Sequence, residues 1–274
     1  NIFILFILHG IDMLASAGIL SFVLPNSFNN ASYYNLVRKH IFNNYTIVNI
    51  TDHSELDLFS ETKQNVSSFI IQKTPPIITD EGININTKYS IVVNDETIIF
   101  NDPNNITKLK SYLETATNLN KLKCIANTGK VVWNQVKEHL TDTASETLLI
   151  YSGNISKKQY NEVVFKNEKK KNYILTDKCI PINEPIIVIN RGYGNAKYKF
   201  NYALINLTHG FQVENHLICV RCNDANKTND EKLQLLTQIV NSFDDKRTTD
   251  FINLYCNNNA LSNNEIINIV PIYL

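Results

Sequence analysis

A continuous apolar run at residues 19–24, ILSFVL, is the feature that most constrains this chain. It stands between Gly18 and a polar exit, Pro25-Asn26-Ser27, as a short buried strand does. An unbroken apolar run is typical of a parallel strand that is covered on both faces and lies inside a larger sheet. Only eighteen residues precede it. We therefore expect the other strands of that sheet to lie on sequence outside this chain.

The neighbouring segments predict the end of an α/β sheet. Residues 2–15 are apolar on nearly every side, which predicts a helix buried between the sheet and another layer. Residues 31–42 have helical spacing, and residues 45–50 and 66–72 are rich in strand-forming side chains. The order helix, strand, helix, strand, loop, strand is that of α/β folds.

Beyond residue 75 the pattern changes. Residues 77–101 predict a β-hairpin with Asn94-Asp95 as its turn, and residues 106–117 predict an amphipathic helix. Residues 125–222 are rich in strand patterns joined by long polar connections. Three helices follow, at 229–245, at 248–256 and after the capping box Ser262-x-x-Glu265. We divide the chain into 1–75, a connecting hairpin and helix at 76–120, and 121–274.

Charge is unevenly distributed along the chain. The net charge is zero, which argues against a simple electrostatic nucleic-acid binder. Residues 121–200, however, hold 14 Lys and Arg against 7 Asp and Glu, whereas the rest of the chain holds 12 against 19. The basic middle is therefore the part that we expect to meet a polyanion.

The cysteines and histidines do not predict a metal site. Cys219 and Cys222 have C-x-x-C spacing, but no second pair or histidine cluster accompanies them. We expect reduced thiols in a cytoplasmic protein, or a nuclear or viral-factory one if the source is a eukaryotic virus. Asp12 and His9 interrupt the apolar N-terminal segment, which also lacks a basic start, so it predicts neither a signal peptide nor a membrane span.

Three segments of the first part resemble one enzyme family. They read LFILHGIDMLASAGILSFVLPNSF at 5–28, YYNLVRKHIFNNYTIVNI at 33–50 and KQNVSSFIIQK at 63–73. In this order they resemble the distal half of the catalytic domain of gamma-class, TaqI-like adenine-N6 DNA methyltransferases of restriction–modification systems. VVWNQVKEHLTD at 131–142 and TLLIYSGNI at 147–155 resemble the target-recognition domains of such enzymes.

The resemblance implies a fold and an activity. The fold is α/β, the distal part of a Rossmann-like methyltransferase sheet, followed by a β-rich α+β target-recognition domain with C-terminal helices. The family transfers a methyl group from S-adenosylmethionine to adenine in duplex DNA. The glycine-bearing loop that binds S-adenosylmethionine and the N-P-P-aromatic catalytic tetrapeptide do not occur in this sequence. By the resemblance the catalytic residues lie upstream of residue 1, and this chain alone is expected to be inactive and to bind no cofactor.

Four residues of the first part are candidates for supporting the target-base pocket: Pro25, Asn26, Phe69 and Lys73. Family members often carry a second aromatic residue near the end of the strand at 66–72. Lys73 stands at that place here, so that Phe69 is the alternative partner for stacking on the base. The competing interpretation is that Phe69 belongs to the core of the sheet.

Candidates for contact with DNA combine cations, amides and aromatic side chains. Arginine can address guanine, asparagine and glutamine can address adenine, and lysines neutralise phosphates. The residues are Asn134, Gln135, Tyr151, Ser152, Asn154, Lys157, Lys158, Arg191, Tyr193, Asn195 and Lys197. The run Lys169-Lys170-Lys171, together with Lys157 and Lys158, is a candidate for neutralising phosphates. The alternatives are a solvated glycine turn at 191–199, a solvated lysine run at 169–171, and a core position for Trp133.

The sequence thus predicts the C-terminal portion of a site-specific adenine-N6 DNA methyltransferase, supplying sequence recognition. Its partners are double-stranded DNA and the N-terminal catalytic part, with a cognate restriction endonuclease as a further candidate. The alternatives are a non-enzymatic DNA-specificity module that acts with a separate catalytic subunit, a recognition segment fused to a nuclease, and a degenerate gene remnant.

Overall fold

The computed structural model describes residues 2–56, 58, 64–191, 199–256 and 261–274. These residues form two compact units. The first takes in the described residues from 2 to 115 together with 250–256, and the second takes in 116–191, 199–249 and 261–274. Strands β4 and β5 and helix α4, defined below, belong to the first unit. The functional boundaries at 75 and 120 stay a prediction.

The described residues form a mixed α/β chain. The helices are α1 (Ile2–Met13), α2 (Ser27–Asn30), α3 (Asn35–Asn44), α4 (Pro103–Leu113), α5 (Asn229–Asp244), α6 (Lys246–Cys256) and α7 (Asn263–Asn268). The strands of the first unit are β1 (Ile19–Pro25), β2 (Thr46–Asp52), β3 (Val66–Gln72), β4 (Ser90–Val93) and β5 (Thr97–Phe100). Those of the second unit are β6 (Cys124–Thr128), β7 (Leu140–Thr141), β8 (Thr147–Ile150), β9 (Ile155–Ser156), β10 (Gln159–Tyr160), β11 (Tyr173–Ile174), β12 (Ile186–Asn190), β13 (Tyr202–Ile205), β14 (Phe211–Val213) and β15 (Leu217–Cys222).

The first sheet has the order β1-β3-β2, and β3 runs antiparallel to both neighbours. Strands β1 and β2 therefore point the same way, and the described neighbour of β1 is antiparallel rather than parallel. That β1 is an inner strand of a larger sheet stays a prediction. One face of β1 turns Leu24 inward, whereas Ile19 and Val23 on the other face are 61% and 64% exposed. An apolar run specifies burial potential on both faces, and it does not specify the direction of the partner strand.

Helix α1 is less buried than its composition predicts. Only Ile7 and Ile11 are buried, and the helix ends at Met13 rather than at residue 15. Five apolar side chains are exposed: Ile2, Phe3, Leu5, Phe6 and Met13. The buried face packs on β1 at Gly10, where a β-carbon would stand 3.2 Å from Leu20 and 3.3 Å from Phe22. The glycine thus allows a close approach of helix and strand.

Helix α3 is anchored by a buried arginine. Arg38 is fully buried, and its guanidinium donates hydrogen bonds to the carbonyl oxygens of Ile98 (2.5 Å), Phe28 (2.8 Å), Ala31 (2.9 Å) and Asn30 (3.1 Å). One side chain thus joins α3 to α2 and to β5. The β4–β5 hairpin turns at Asn94 and Asp95, as predicted, with φ angles of 51° and 57°.

The second unit contains two four-stranded sheets, ordered β13-β12-β15-β6 and β14-β8-β11-β7. Their apolar side chains share one core, which includes Ile150, Ile186, Val188 and Leu217. Every pairing is antiparallel except that of β14 with β8. The predicted helix at 229–245 is confirmed as α5, and the capping box of Ser262 begins α7.

Candidate functional site

A polar cluster lies where β1 and β2 end and β3 begins. Asn26 is 2% exposed, and its amide nitrogen donates to Asp52 Oδ1 (2.9 Å) and Ser54 Oγ (2.7 Å). Its amide oxygen accepts a hydrogen bond from Ser67 Oγ (2.6 Å). We call Asn26, Asp52, Ser54 and Ser67 the Asn26 cluster. Pro25, the last residue of β1, directly precedes it.

The same end of the strands carries two residues that the sequence patterns did not single out, Asp52 and His53. Asp52 ends β2, and His53 Nε2 lies 2.7 Å from Ser68 Oγ. Both are half-buried. A polar triplet directly after a strand, Asp52-His53-Ser54, was the available signal. In α/β sheets ligands bind outside the carboxyl ends of strands, so this edge is the one where chemistry is expected.

Lys73 lies at the opposite end of the strands. The register places Gln72 opposite Ile19, at the start of β1. Six residues of strand separate this end from Asn26, roughly 20 Å. Lys73 Nζ donates to the carbonyl oxygens of Leu14 (2.8 Å) and Asp12 (3.3 Å), at the C-terminal end of α1. The structure therefore does not bring Lys73 together with Asn26.

Phe69 belongs to the core of the first unit. It is 1% exposed, and its ring stacks on Phe100 with a centroid distance of 5.7 Å and packs edge-on against Phe28 at 5.5 Å. In this arrangement Phe69 is a core residue, the competing interpretation that the sequence left open. Stacking on a base would require its ring to leave both of these aromatic contacts or the base to enter the core.

In the second unit Asn134 and Gln135 are exposed in a turn, where their amides face solvent. Trp133 beside them is half-buried and packs against a small apolar cluster built on Val131 and Leu149. The two amides are thus accessible to a partner, and the indole is partly committed to packing.

Tyr151 and Asn154 are buried and hydrogen-bonded. The Tyr151 hydroxyl donates to the carbonyl oxygen of Lys171 (2.8 Å), and Asn154 Oδ1 accepts from the backbone N–H of Tyr151 (2.9 Å). Burial, followed by the negative charge of Glu214, raises the pKa of Tyr151. Contact with DNA would require both side chains to leave these positions. Ser152 between them is half-buried.

Lys157 and Lys158 form the turn between β9 and β10, with φ angles of 51° and 61°. Lys157 is exposed. Lys158 forms an ion pair with Asp244, and its ammonium stands 5.5 Å from the centroid of the Tyr202 ring. The charge of Lys158 is therefore partly used within the unit, whereas Lys157 faces solvent.

Arg191 is exposed directly after β12. Its backbone N–H donates to the carbonyl oxygen of His216 (3.3 Å), and His216 Nδ1 lies 2.5 Å from Oε1 of the buried Glu214. These contacts fix the backbone of Arg191 and leave its guanidinium at the surface. Tyr193, Asn195 and Lys197, which the sequence also predicts to contact DNA, lie outside the described residues.

The C-x-x-C pair does not form a joint site. Cys219 and Cys222 are three residues apart on β15, so their side chains point to opposite faces of the sheet. Cys222 pairs across the strands with Cys124, and all five cysteines are free thiols. Burial raises the pKa of Cys219 to about 12, which keeps it a thiol at neutral pH. Within the described ranges no group of three His, Cys, Asp or Glu residues is arranged to hold a metal ion.

The second unit also contains a cavity of about 340 Å³ that the sequence did not predict. Its wall mixes apolar side chains such as Ile182 with polar ones such as Gln212 and Arg221. In the part of the chain that the structure describes, no helix has both the length and the apolar character needed to cross a membrane.

Residues 1–59 match the Eco57I restriction-modification methylase family. The matched segment contains α1, β1, α3 and β2, and with them Asn26 and Asp52 of the Asn26 cluster. This match relates the first unit to restriction–modification methylases and supports a DNA methyltransferase-related role.

No curated protein matches this chain. A solved structure, that of the type IIG restriction endonuclease BpuSI, aligns with a TM-score of 0.33 and 10% sequence identity over 100% of this chain and 42% of that one. The chain spans less than half the length of that structure, and a TM-score this low does not establish a common fold.

Proposed function

We propose that this chain is the C-terminal portion of a site-specific adenine-N6 DNA methyltransferase. Its first unit contributes the distal part of the catalytic domain, and its second unit is the target-recognition domain. The observation that carries the proposal is the match of residues 1–59 to restriction–modification methylases, which falls on the sheet of the first unit. Duplex DNA and the remainder of the catalytic domain are the proposed partners.

The two edge strands of the first sheet, β1 and β2, support this assignment because other elements cover the outer side of only one of them. Along the outer side of β2, the backbone N–H of Ile47 donates to Asn86 Oδ1 (2.8 Å), and the carbonyl oxygen of Val48 accepts from the Tyr89 hydroxyl (2.8 Å). Strand β1 makes no hydrogen bond of this kind with any described residue; β3 is its one strand neighbour in the described sheet. An uncovered edge is a template for another strand. We assign it to the remaining strands of the catalytic domain.

Exposed apolar surface supports the same assignment. Ile19 and Val23 of β1, together with Leu5 and Phe6 of α1, are each more than half exposed. Large apolar side chains left exposed on a strand and on a helix are candidates for an interaction surface. Elements packed on this face of β1 and on α1 would remove these side chains from water.

The residues present do not fit the methyl donor. The family binds S-adenosylmethionine on a glycine-bearing loop after a strand. In the first unit Gly10 packs inside α1, and Gly18 precedes β1 rather than following it. Gly82 lies in the turn at 79–82. In this proposal S-adenosylmethionine is therefore bound by the remainder of the enzyme.

The contribution of this chain to catalysis is positional. The reaction requires an adenine to leave the duplex and its weakly nucleophilic exocyclic amine to be held near the methyl donor. The Asn26 cluster joins the ends of β1 and β2 to the start of β3, and so fixes the edge where the base would be received. Asp52 and His53 are the half-buried polar groups at that edge.

The second unit supplies sequence recognition in this proposal. Arg191, Asn134 and Gln135 are exposed and carry the donors and acceptors that read base edges in the major groove. Selection of duplexes from a randomised pool by this chain should enrich one short sequence that contains adenine. Failure to enrich any sequence would refute the recognition role.

The variant Arg191→Ala should weaken discrimination at one base pair by roughly 1–3 kcal/mol, the usual cost of losing a bidentate contact to guanine. Lys157→Ala is the matched control, because the loss of an exposed lysine in a hairpin turn should weaken binding to all DNA sequences equally. An equal loss on all sequences for Arg191→Ala would mean that it contacts phosphate. Calorimetric titration with S-adenosylmethionine should show no binding, and micromolar affinity would overturn the division of roles.

A further inference from the structure

Three consecutive lysines of the second unit, Lys169, Lys170 and Lys171, have different surroundings. Lys169 is exposed, and its backbone N–H donates to Asn167 Oδ1 (3.0 Å). Lys171 Nζ forms an ion pair with Asp142 at 2.6 Å. Lys170 is half-buried and lies over aromatic rings. A run that reads as uniform charge in the sequence is therefore three separate side-chain environments.

The ammonium of Lys170 stands against three rings at once. Its Nζ is 4.8 Å from the ring centroid of Tyr151, 5.0 Å from that of Trp133 and 5.4 Å from that of Phe165. All three distances are within the range of cation–π attraction. The rings of Tyr151 and Phe165 also pack edge-on at 4.8 Å. We call Trp133, Tyr151 and Phe165 the aromatic cage.

The buried Tyr151 is the innermost ring of the cage, and the loop around Lys170 is attached to the cage on both sides. Tyr151 is fully buried, and its hydroxyl donates to the carbonyl oxygen of Lys171 (2.8 Å). Just beyond, the backbone N–H of Leu149 donates to the carbonyl oxygen of Asn172 (2.8 Å). Before the loop, Phe165 is itself part of the cage. Residues 166–171, which we call the lysine loop, thus extend from the cage and return to it.

Two lysines of the loop are left facing solvent. Lys166 and Lys169 are exposed, and neither forms an ion pair with any described residue. Glu168 between them is also exposed and is the opposing charge on the loop. Lys170 is held by uncharged rings rather than by a carboxylate, so the contact that positions the loop adds no negative charge to it. Two separated, unpaired ammonium groups on a loop that is attached at both ends suit the repeated phosphates of a nucleic-acid backbone.

We propose that the lysine loop contacts the phosphates of duplex DNA through Lys166 and Lys169, and that Lys170 is a positioning residue held in the aromatic cage. The identity of the polyanion rests on the proposed function. The position of Lys170 does not depend on it.

The phosphate contacts are tested by salt dependence. The affinity of the chain for a short fluorescein-labelled duplex is measured at several salt concentrations. Lys166→Ala and Lys169→Ala should each reduce the slope of log Kd against log salt by about 1, and should do so equally for different sequences. Glu168→Gln should strengthen binding. Unchanged slopes in both lysine variants would show that the loop does not contact phosphate.

The positioning role is tested without DNA. Trp133 is the sole tryptophan, so its fluorescence reports on the cage. Lys170→Met removes the ammonium and should change the Trp133 emission and accelerate cleavage after Glu168 by a glutamyl endopeptidase severalfold. Lys170→Arg should restore both, because a guanidinium also stacks on aromatic rings. Lys169→Met is the matched control and should alter neither.

The outcomes separate this proposal from the proposed function. If the unaltered chain fails to bind duplex DNA at low salt, the recognition role and the phosphate contacts both fail, while the fluorescence and proteolysis results still decide the role of Lys170. If DNA binds but Lys170→Met behaves as Lys169→Met in both readouts, the positioning role is wrong. If Lys170→Met lowers the salt slope by about 1 and leaves the emission unchanged, Lys170 is itself a phosphate contact.

Discussion

Replacing the buried Arg38 should strongly destabilise the first unit. The guanidinium donates four hydrogen bonds to backbone carbonyl oxygens, and the side chain is fully buried. Arg38→Met would fill much of the same volume but remove every donor. The carbonyl oxygen of Ala31 would keep a hydrogen bond from the Tyr34 N–H, and that of Asn30 would keep one from the Tyr255 hydroxyl. The loss is therefore concentrated at the carbonyl groups of Phe28 and Ile98.

The size of the stability loss follows from the number of carbonyl oxygens left without a donor. A buried carbonyl oxygen left without a partner costs about 1–3 kcal/mol, and removing a buried charge recovers part of its desolvation cost. We expect the free energy of unfolding of the first unit to fall by about 3–5 kcal/mol. With a urea m-value of about 2 kcal/mol per molar, the midpoint of unfolding should fall by roughly 2 M.

Urea unfolding followed by circular dichroism measures this loss. Trp133 belongs to the second unit, so its fluorescence transition is recorded in the same samples as an internal comparison. Lys39→Met, one position along α3 at a half-buried site, is the matched control and should change the stability by less than about 0.5 kcal/mol. A loss below about 1 kcal/mol for Arg38→Met would refute the view that this side chain joins α3 to α2 and β5.

Three further predictions concern the second unit. Burial alone would raise the pKa of Asp244, but hydrogen bonds from Lys158 and Tyr202 lower it. The contribution of Asp244 to stability should therefore be present above the unfolded-state pKa of about 4 and be lost as the pH falls through the folded-state value. Asp244→Asn should flatten the acid side of the pH–stability curve. Ser262→Ala removes the cap of α7 and should cost about 1 kcal/mol in thermal or urea unfolding, with Ser262→Thr as the conservative control. Cys219, a buried thiol with a pKa raised to about 12, should resist a thiol reagent at pH 8 in the folded protein and react at once in urea. Fast labelling that peptide mapping assigns to Cys219, rather than to the half-buried Cys179, would contradict its burial.

Sequence patterns predicted the elements whose signals are local. The turn at Asn94-Asp95 needs two residues that accept positive φ, and the capping box at Ser262 needs only residues three positions apart. Helix α5 has an apolar stripe over four turns. Helix α4 was predicted at 106–117 but is Pro103–Leu113, because Asp102 caps it with hydrogen bonds from two backbone N–H groups. The signal was present in Asp102-Pro103 and was outweighed by the apolar spacing further on.

Features that depend on distant residues could not be predicted. The direction of β1 is set by its pairing with β3, some fifty residues later, and its apolar run is compatible with either direction. The exposed face of α1 depends on which elements cover it. The separate roles of Lys169, Lys170 and Lys171 depend on Tyr151 and Trp133, which precede them by about twenty to forty residues and whose rings meet only in the folded unit.

The Asn26 cluster indicates what the first unit can and cannot do at the edge of its sheet. Both amide hydrogens of Asn26 are donated within the protein, and its oxygen already accepts from Ser67. Because neither donor of Asn26 is free and its side chain is only 2% exposed, Asn26 shapes this end of the sheet and leaves recognition of the base to other groups. His53 is half-buried, and the one described hydrogen bond of its ring, with Ser68 Oγ, uses a single ring nitrogen. If the proposed enzyme uses this edge, His53 rather than Asn26 is the side chain of this chain with capacity left for the target nucleotide.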